Sequence, residues 1–469
     1  MRILIATHFY PPNHVGGTEV LTRSLARSLR DAGHQVQIVC AEDWASASDY
    51  RIVETDDLID EVPVRRFRFN WTKAPDVFRY LYDNPEVAHH FDKLIEAFRP
   101  DVVHVTSCYT LSASILAMAR RRGLPIVLSA TDFWFLCARN TLVRSDDTLC
   151  NGPESPWMCA RCMASEAKVY RWPRRLLPEP IVKVFLNSLS RLSWFSNRPG
   201  LRGFTGDWEM RLRYMTDARS LVDYTVTASD QLRNLFISYG MPSERIAQLS
   251  YGLDTSWAEG YRSKTASSKL RIGFIGQILP AKGPDLLLKA IAHLPRDLPL
   301  EVKIYGDLQK SPHYGRTLQA LAGDDPRITF PGVFENNLMG QVLSEIDVLA
   351  VPSTWFDFPL VIPSAFATGT PVLTTNLPGM NELVVHERSG LLVERHDWLG
   401  LATAVRRLVD DPDLLPRLRA GIQRVKTVQE MTVEYLNIYT ALLAGALPTH
   451  FGEDSLPSNP DLAITPPQP

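Results

Sequence analysis

Several absences narrow the field before any motif is considered. The 469 positions contain no run of about 18 apolar residues, which excludes a membrane-spanning helix by composition. Neither sign of charge dominates: 50 Lys and Arg stand against 52 Asp and Glu, a formal net charge of −2. Nothing therefore draws the whole chain to nucleic acid or to an anionic membrane, and any such attraction has to be local. Cysteine is scarce, six residues in all, too few for a secreted disulfide scaffold of this length. Met1 runs straight into RILIAT without a basic and then an apolar leader, so a soluble, cytosolic setting is expected. The first strand-like run is followed by no GxGxxG turn, which speaks against a dinucleotide oxidoreductase. No repeat of solenoid period is visible.

What is present is a regular alternation of apolar runs and amphipathic stretches. RILIAT (2–7) reads as a buried strand, and Leu21, Leu25 and Leu29 recur every four residues as one helix face closed by Gly33. QVQIVC (35–40) is a second strand. DVVHVTS (101–107), the helical 111–123 and PIVLSAT (125–131) repeat the pattern, so residues 1–131 read as a doubly wound α/β domain. VDYTVTAS (222–229) and a helix at 231–240 complete a first domain over 1–250, with an insert at 132–219. Residues 251–269 lose periodicity and read as a linker. LRIGFIG (270–276), EVKIYGD (301–307), ITFPG (328–332) and GLLV (390–393), with helices between, build a second α/β domain over 270–430. A terminal helix at 431–446 and a proline-rich, disordered tail at 447–469 follow.

Two stretches suggest ligand binding on their own residues. Gly16-Gly17 precedes a helix start, where unhindered amides can approach a phosphate, although glycine is also the usual turn residue. Between Ile346 and Pro371, strand, loop, helix and strand follow in order, and the loop carries Trp355, Phe356, Asp357 and Phe358. In parallel sheets the loop after a strand's carboxyl end is where ligands sit. Part of a nucleotide-sugar is expected there.

GFIGQILPAKGPDLLLKAI, and then ITFPGVFENNLMG through VLAVPSTWFDFPLVIPSAFATGTPVLTTNLPGMNELVVHERSGLLV, closely resemble the C-terminal domain of family 4 glycosyltransferases. FYPP, Gly-Gly-Thr-Glu and the helix ending in Ala-Gly-His resemble the same family's acceptor domain, so the resemblance covers roughly residues 1–445. It implies the GT-B fold: two Rossmann-like doubly wound domains facing across a cleft, with the last helix crossing back to the first. It also implies a retaining enzyme that moves a sugar from a UDP- or GDP-linked donor to a carbohydrate or lipid-linked acceptor, in polysaccharide or glycoconjugate synthesis, with no catalytic metal. The alternative is a degenerate member that binds a sugar nucleotide and catalyses little.

Carried over position by position, the resemblance makes Lys282 the cation on the donor diphosphate, where charge grows as the phosphate leaves. Gly276, Gln277, Val333, Phe334, Leu338, Phe358, Pro359 and Leu360 would line the donor site, Val333 and Phe334 at the base. Gly16 and Gly17 would face the donor from the first domain. Three departures stand out. Gln277 replaces the family's arginine and supplies no charge. Asp357 and Ser364 stand where two glutamates usually do, and Asp357 equally suits a helix cap. Thr131, before Asp132, replaces a histidine near the transferred sugar and cannot shuttle protons near neutral pH. His8, His14 and His104 are alternatives, each equally readable as structural.

Cys137, Cys150, Cys159 and Cys162 cluster with 12, eight and two residues between them. Such a quartet suits structural zinc; an iron–sulfur cluster or plain thiols are the other readings. After it, residues 161–219 carry twelve Lys and Arg against five Asp and Glu, with Trp172, Arg174, Arg175, Trp194 and Arg202 among them. This stretch could meet a lipid-phosphate acceptor or peripheral membrane surface, or be a solvated elaboration of the domain. No nucleic-acid partner is expected.

Overall fold

The computed structural model describes residues 1–153, 155–164, 206–355 and 358–448, with positions 180, 181, 184 and 188 besides. The chain forms two compact units, Met1–Leu249 together with the segment that begins at Val428, and Ser250–Thr427. Most of the basic insert, Asp357 and nearly all of the tail lie outside the described residues.

The first unit is an eight-stranded sheet of β1 (Arg2–Thr7), β2 (Gln35–Asp43), β3 (Val53–Ile59), β4 (Val62–Phe69), β5 (Val102–Val105), β6 (Ile126–Ala130), β7 (Tyr224–Thr227) and β8 (Ile246–Gln248). Their spatial order is β3-β4-β2-β1-β5-β6-β7-β8. Every neighbouring pair except β3–β4 is parallel. The central strands are buried throughout, as continuous Ile, Val and Leu runs require when helices cover both faces. Helices used below are α1 (Gly17–Asp31), α2 (Pro156–Ala164) and α3 (Gly206–Ser220).

The β3–β4 hairpin was not foreseen. Its two turn residues, Asp60 and Glu61, both hold left-handed backbone at φ 48° and 58°, the pattern of a two-residue hairpin turn that normally selects Asn-Gly. Here α1 supplies the missing preference. Arg23 grips the Asp60 carboxylate with two hydrogen bonds of 2.6 and 2.8 Å, and Arg30 donates to the Asp60 carbonyl. β3 itself, VETDDLI, is an edge strand too polar to read as one.

The second unit is a six-stranded, all-parallel sheet of β9 (Leu270–Ile275), β10 (Leu300–Tyr305), β11 (Ile328–Gly332), β12 (Val348–Val351), β13 (Val372–Thr375) and β14 (Gly390–Val393). Its order is β11-β10-β9-β12-β13-β14. Helices α4 (Pro284–His293) and α5 (Val361–Ala367) flank the strands that matter here. One core joins Ile272, Leu287, Leu288, Val302 and Leu401. The span 251–269 is packed into this unit rather than strung as a bare linker. Tyr261 lies against Gly340, whose added Cβ would stand 2.2 Å from the ring. Lys264 Nζ donates to the Leu343 carbonyl at 2.7 Å and to the Thr370 hydroxyl. Chain held by side-chain contacts in short turns shows no period to read.

The last helix, α6 (Val428–Leu443), belongs to the first unit and starts three residues earlier than expected. Its docking is polar and buried. Tyr439 Oη bonds His104 Nδ1 at 2.6 Å, His104 Nε2 bonds Ser129 Oγ at 2.7 Å, and Ser129 Oγ bonds Tyr435 Oη at 2.5 Å. Thr432 adds a 2.8 Å bond to Ser28 of α1. His104 is thus a structural histidine.

Burial lowers the His104 pKa from 6.5 to about 3. Between those values the unfolded chain takes up a proton that the folded one refuses. Its stabilising contribution is therefore complete above about pH 6.5 and is lost as pH falls toward 3, by about 1.4 kcal/mol per pH unit. The urea midpoint of the wild type should fall between pH 7.5 and pH 5.5, and His104→Asn should flatten that fall by close to one proton. Equal slopes in the two proteins would remove His104 as the source.

Candidate functional site

Each sheet has one place where the strand order reverses, and that is where parallel sheets open a crevice beyond their carboxyl ends. In the first unit it lies between β1 and β5, and in the second between β9 and β12.

In the second unit the loops after β9 and β12 are folded together. Gly283, at the end of the β9 loop, takes φ 69°, and a Cβ there would stand 2.0 Å from the Pro352 carbonyl oxygen. Thr354 N donates to the Ala281 carbonyl at 2.9 Å, and Arg395 Nε, just past β14, donates to the Thr354 carbonyl at 2.6 Å. Lys282 is directed by this contact: its Nζ lies 5.0 Å from the centre of the Trp355 ring. Two polar atoms of the β12 loop, Ser353 Oγ and Trp355 Nε1, are buried with no hydrogen-bond partner among the described residues. Buried donors left unsatisfied are costly, so a group that accepts from them is the physical expectation.

The other expected donor residues divide. Gly276 leads directly off β9, and its carbonyl oxygen would stand 2.4 Å from a Cβ on Gly306, so the β10 loop also needs a glycine. Gln277 is exposed. Val333 and Leu338 are exposed apolar side chains, and Phe334 between them packs edge-on to Tyr305 at 5.3 Å. An apolar wall next to an exposed valine can hold a flat base. Phe358 packs against Tyr251 at 5.3 Å, while Pro359 and Leu360 lead into α5. Ser364 is buried and its hydroxyl donates to the Leu360 carbonyl at 2.8 Å, so its proton is already used within the helix. Asp357 cannot be placed, since it lies outside the described residues.

In the first unit, Gly16 and Gly17 open α1 as expected, but that helix terminus already carries a carboxylate of its own. Glu19 is buried in the first turn and pairs with His8 Nε2 at 3.3 Å. Burial alone would raise the Glu19 carboxyl; the hydrogen bond and charge of His8 outweigh it and hold the group below its usual range. His8 Nδ1, just past the end of β1, is buried with no hydrogen-bond partner among the described residues. Thr131, just past β6, accepts from Thr18 at 3.0 Å and donates to the Thr106 carbonyl at 2.7 Å. Asp132 accepts from Ser107 Oγ at 3.0 Å and from Trp134 N at 2.9 Å. Burial raises its carboxyl against the pull of those two bonds. The first crevice is therefore built from His8, Glu19, Thr131 and Asp132, and its central histidine is His8 rather than His14 or His104. His14 stacks on Phe9 at 4.0 Å.

Sequence reasoning did not single out Ser353, Arg395 or Glu19. Only Glu19 left a signal, an acid in the first turn of a helix that starts with two glycines.

Gly283→Ala should lower the denaturation midpoint of the second unit far more than Gly369→Ala does. Both residues have left-handed backbone, φ 69° and 67°, but nothing lies within 4 Å of a Cβ at Gly369. Backbone strain alone costs about 1 kcal/mol, and the carbonyl clash should add roughly 2 more. Equal losses would mean that the Pro352 approach is not a constraint.

Comparison with known proteins agrees with this construction. The family described as "Glycosyl transferase 4-like domain" matches residues 16–179, and "Glycosyl transferases group 1" matches residues 269–411. The D-inositol 3-phosphate glycosyltransferase of Corynebacterium efficiens is 30% identical over 248 residues, 48% of this chain and 58% of its own length. That of Xylanimonas cellulosilytica is 32% identical over 223 residues, 42% and 53%. The chain thus spans little more than half the length of these curated relatives. Among solved structures, Anabaena Alr3699/HepE in complex with UDP superposes with a TM-score of 0.61 at 17% identity, covering 93% of this chain and 99% of that one. Sucrose-phosphate synthase from Thermosynechococcus elongatus gives 0.63 at 17%, covering 95% and 100%. A glycosyltransferase family model thus matches within each unit, and the two parallel-sheet, Rossmann-like units have the GT-B fold of these solved structures, a likeness to family 4 glycosyltransferases in both halves of the chain.

Proposed function

We propose that this protein transfers a sugar, with retention of anomeric configuration, from a UDP-linked donor to a carbohydrate or lipid-linked acceptor. The observation that carries the donor half is the β9–β12 crevice: Lys282 over Trp355, on loops where Ser353 Oγ and Trp355 Nε1 are buried with no hydrogen-bond partner among the described residues. An ammonium and two neutral donors on adjoining loops suit an anionic group that gains charge during reaction. Lys282 would stand on the donor diphosphate, with the base against Val333, Phe334 and Leu338. UDP is preferred over GDP because similar solved structures hold UDP and UDP-glucose. Asp357 would touch the sugar.

In the transfer, the bond between the anomeric carbon and the diphosphate oxygen breaks as the acceptor oxygen bonds the same face. The departing phosphate oxygen takes the acceptor's proton, so the step needs no histidine at Thr131. Thr131 and Asp132, held by their own hydrogen bonds, would shape the first-unit crevice for hydroxyl groups. Among the described residues no helix is long and apolar enough to cross a membrane. A cytoplasmic enzyme is the reading adopted, meeting the membrane's inner face through the basic stretch 161–219 when its acceptor is lipid-linked.

Calorimetry with UDP and GDP, alongside donor hydrolysis with a panel of sugar nucleotides, tests the assignment. Lys282→Ala should weaken UDP binding about ten- to a hundredfold, as loss of a charge-assisted contact does, and cut turnover at least as much. Unchanged binding and turnover would remove Lys282 from the site. Tight UDP binding with no turnover on any donor or acceptor would make the chain a binding member of the family.

A further inference from the structure

The four clustered cysteines come together from three separate pieces of backbone. Cys137 ends the loop that follows Asp132, and its amide donates to the Phe133 carbonyl at 2.6 Å. Cys150 closes a small hairpin bridged at Val143 and Leu149. Cys159 and Cys162 are three apart on α2 and so project from one face. All four line a single cavity of about 40 Å³, whose other walls include Leu136, Leu142, Met158 and Trp208. None is in a disulfide.

The surroundings are prepared for negative charge. Arg211 of α3 is buried, stacks 5.8 Å from the Trp134 ring centre and donates to the Trp134 carbonyl at 2.8 Å. Arg219 follows two turns later, also buried, donating to the Phe135 and Tyr239 carbonyls at 3.1 and 3.0 Å. Four thiolates around one divalent ion carry a net charge of −2, which the Arg211 guanidinium offsets in part.

The hairpin is also pinned to the body of the first unit. Gly152 takes φ 117°, and a Cβ there would stand 2.4 Å from the Tyr239 ring, whose hydroxyl donates to the Asn151 carbonyl at 3.1 Å. Among the described residues, no three His, Cys, Asp or Glu side chains stand at metal-holding distances, so the sulfurs ring the cavity without meeting at one centre. A rotation about a single χ1 bond moves each of them.

We infer that Cys137, Cys150, Cys159 and Cys162 bind one structural zinc ion, closed to substrate. The ion ties the loop after Asp132 to α2, and so fixes one wall of the first-unit crevice without entering the chemistry. Four thiolates at tetrahedral positions leave no open coordination site. Binding releases the thiol protons to solvent, and no redox step is involved.

The test uses the full chain purified without chelator. Metal analysis should find about one zinc per chain. Four of the six cysteines should resist alkylation until a chelator is added, while Cys40 and Cys108 stay protected by burial until the protein unfolds. The double variant Cys159→Ser with Cys162→Ser should lose the metal. Since that variant could fail to fold, cobalt(II) exchange into the wild type gives an independent readout, a thiolate-to-cobalt charge-transfer band. No metal with four reactive thiols, or a disulfide within the quartet, overturns the inference. A visible absorbance with bound iron and sulfide overturns zinc in favour of a cluster.

Discussion

Much of the second unit depends on one backbone approach, the Pro352 carbonyl set where any residue but glycine at 283 would place its Cβ. Two adjacent parallel strands send their carboxyl-terminal loops into the same space, and one of them has to give way. Left-handed backbone at Gly283 lets the β9 loop tuck beneath the β12 loop, after which Thr354 and Arg395 lock the pair by hydrogen bonds. The residue before that glycine is Lys282, so the same constraint that packs the loops also aims the ammonium at Trp355. Steric and electrostatic design are here a single feature.

The two units repeat one grammar with opposite electrostatics. At the first switch point the helix terminus carries the protein's own Glu19, paired with His8 Nε2 at 3.3 Å. At the second, the Lys282 ammonium lies over Trp355, and Ser353 Oγ and Trp355 Nε1 are buried donors without a partner among the described residues. Shared topology therefore does not imply a shared ligand; polarity is set by two or three side chains at each crevice.

Strands buried on both faces announced themselves as unbroken apolar runs, which is why both sheets could be read from the residues. The β3–β4 hairpin could not be, because Asp60-Glu61 has no intrinsic turn preference and takes its shape from Arg23 and Arg30, distant in the chain. Residues 251–269 misled for a related reason: Tyr261 and Lys264 are held by tertiary contacts that leave no periodic trace. At the site, Lys282 and the apolar Val333–Leu338 stretch were legible as motif positions. That Ser353 Oγ and Trp355 Nε1 are buried and unpartnered is a property of packing alone, and the commitment of Ser364 to Leu360 is equally invisible in a one-letter string.

The place of α6 has a further consequence, for the order in which the molecule is made. Because Ser250–Thr427 forms its own unit, the second domain is an insertion between the first domain and its last helix. During synthesis His104 and Ser129 emerge more than three hundred residues before Tyr439 and Tyr435, the hydroxyls that satisfy them. The nascent first sheet must therefore wait, with a buried imidazole and hydroxyl lacking their partners, while the inserted domain folds whole. Completion of the N-terminal half is thus the last act of folding rather than the first.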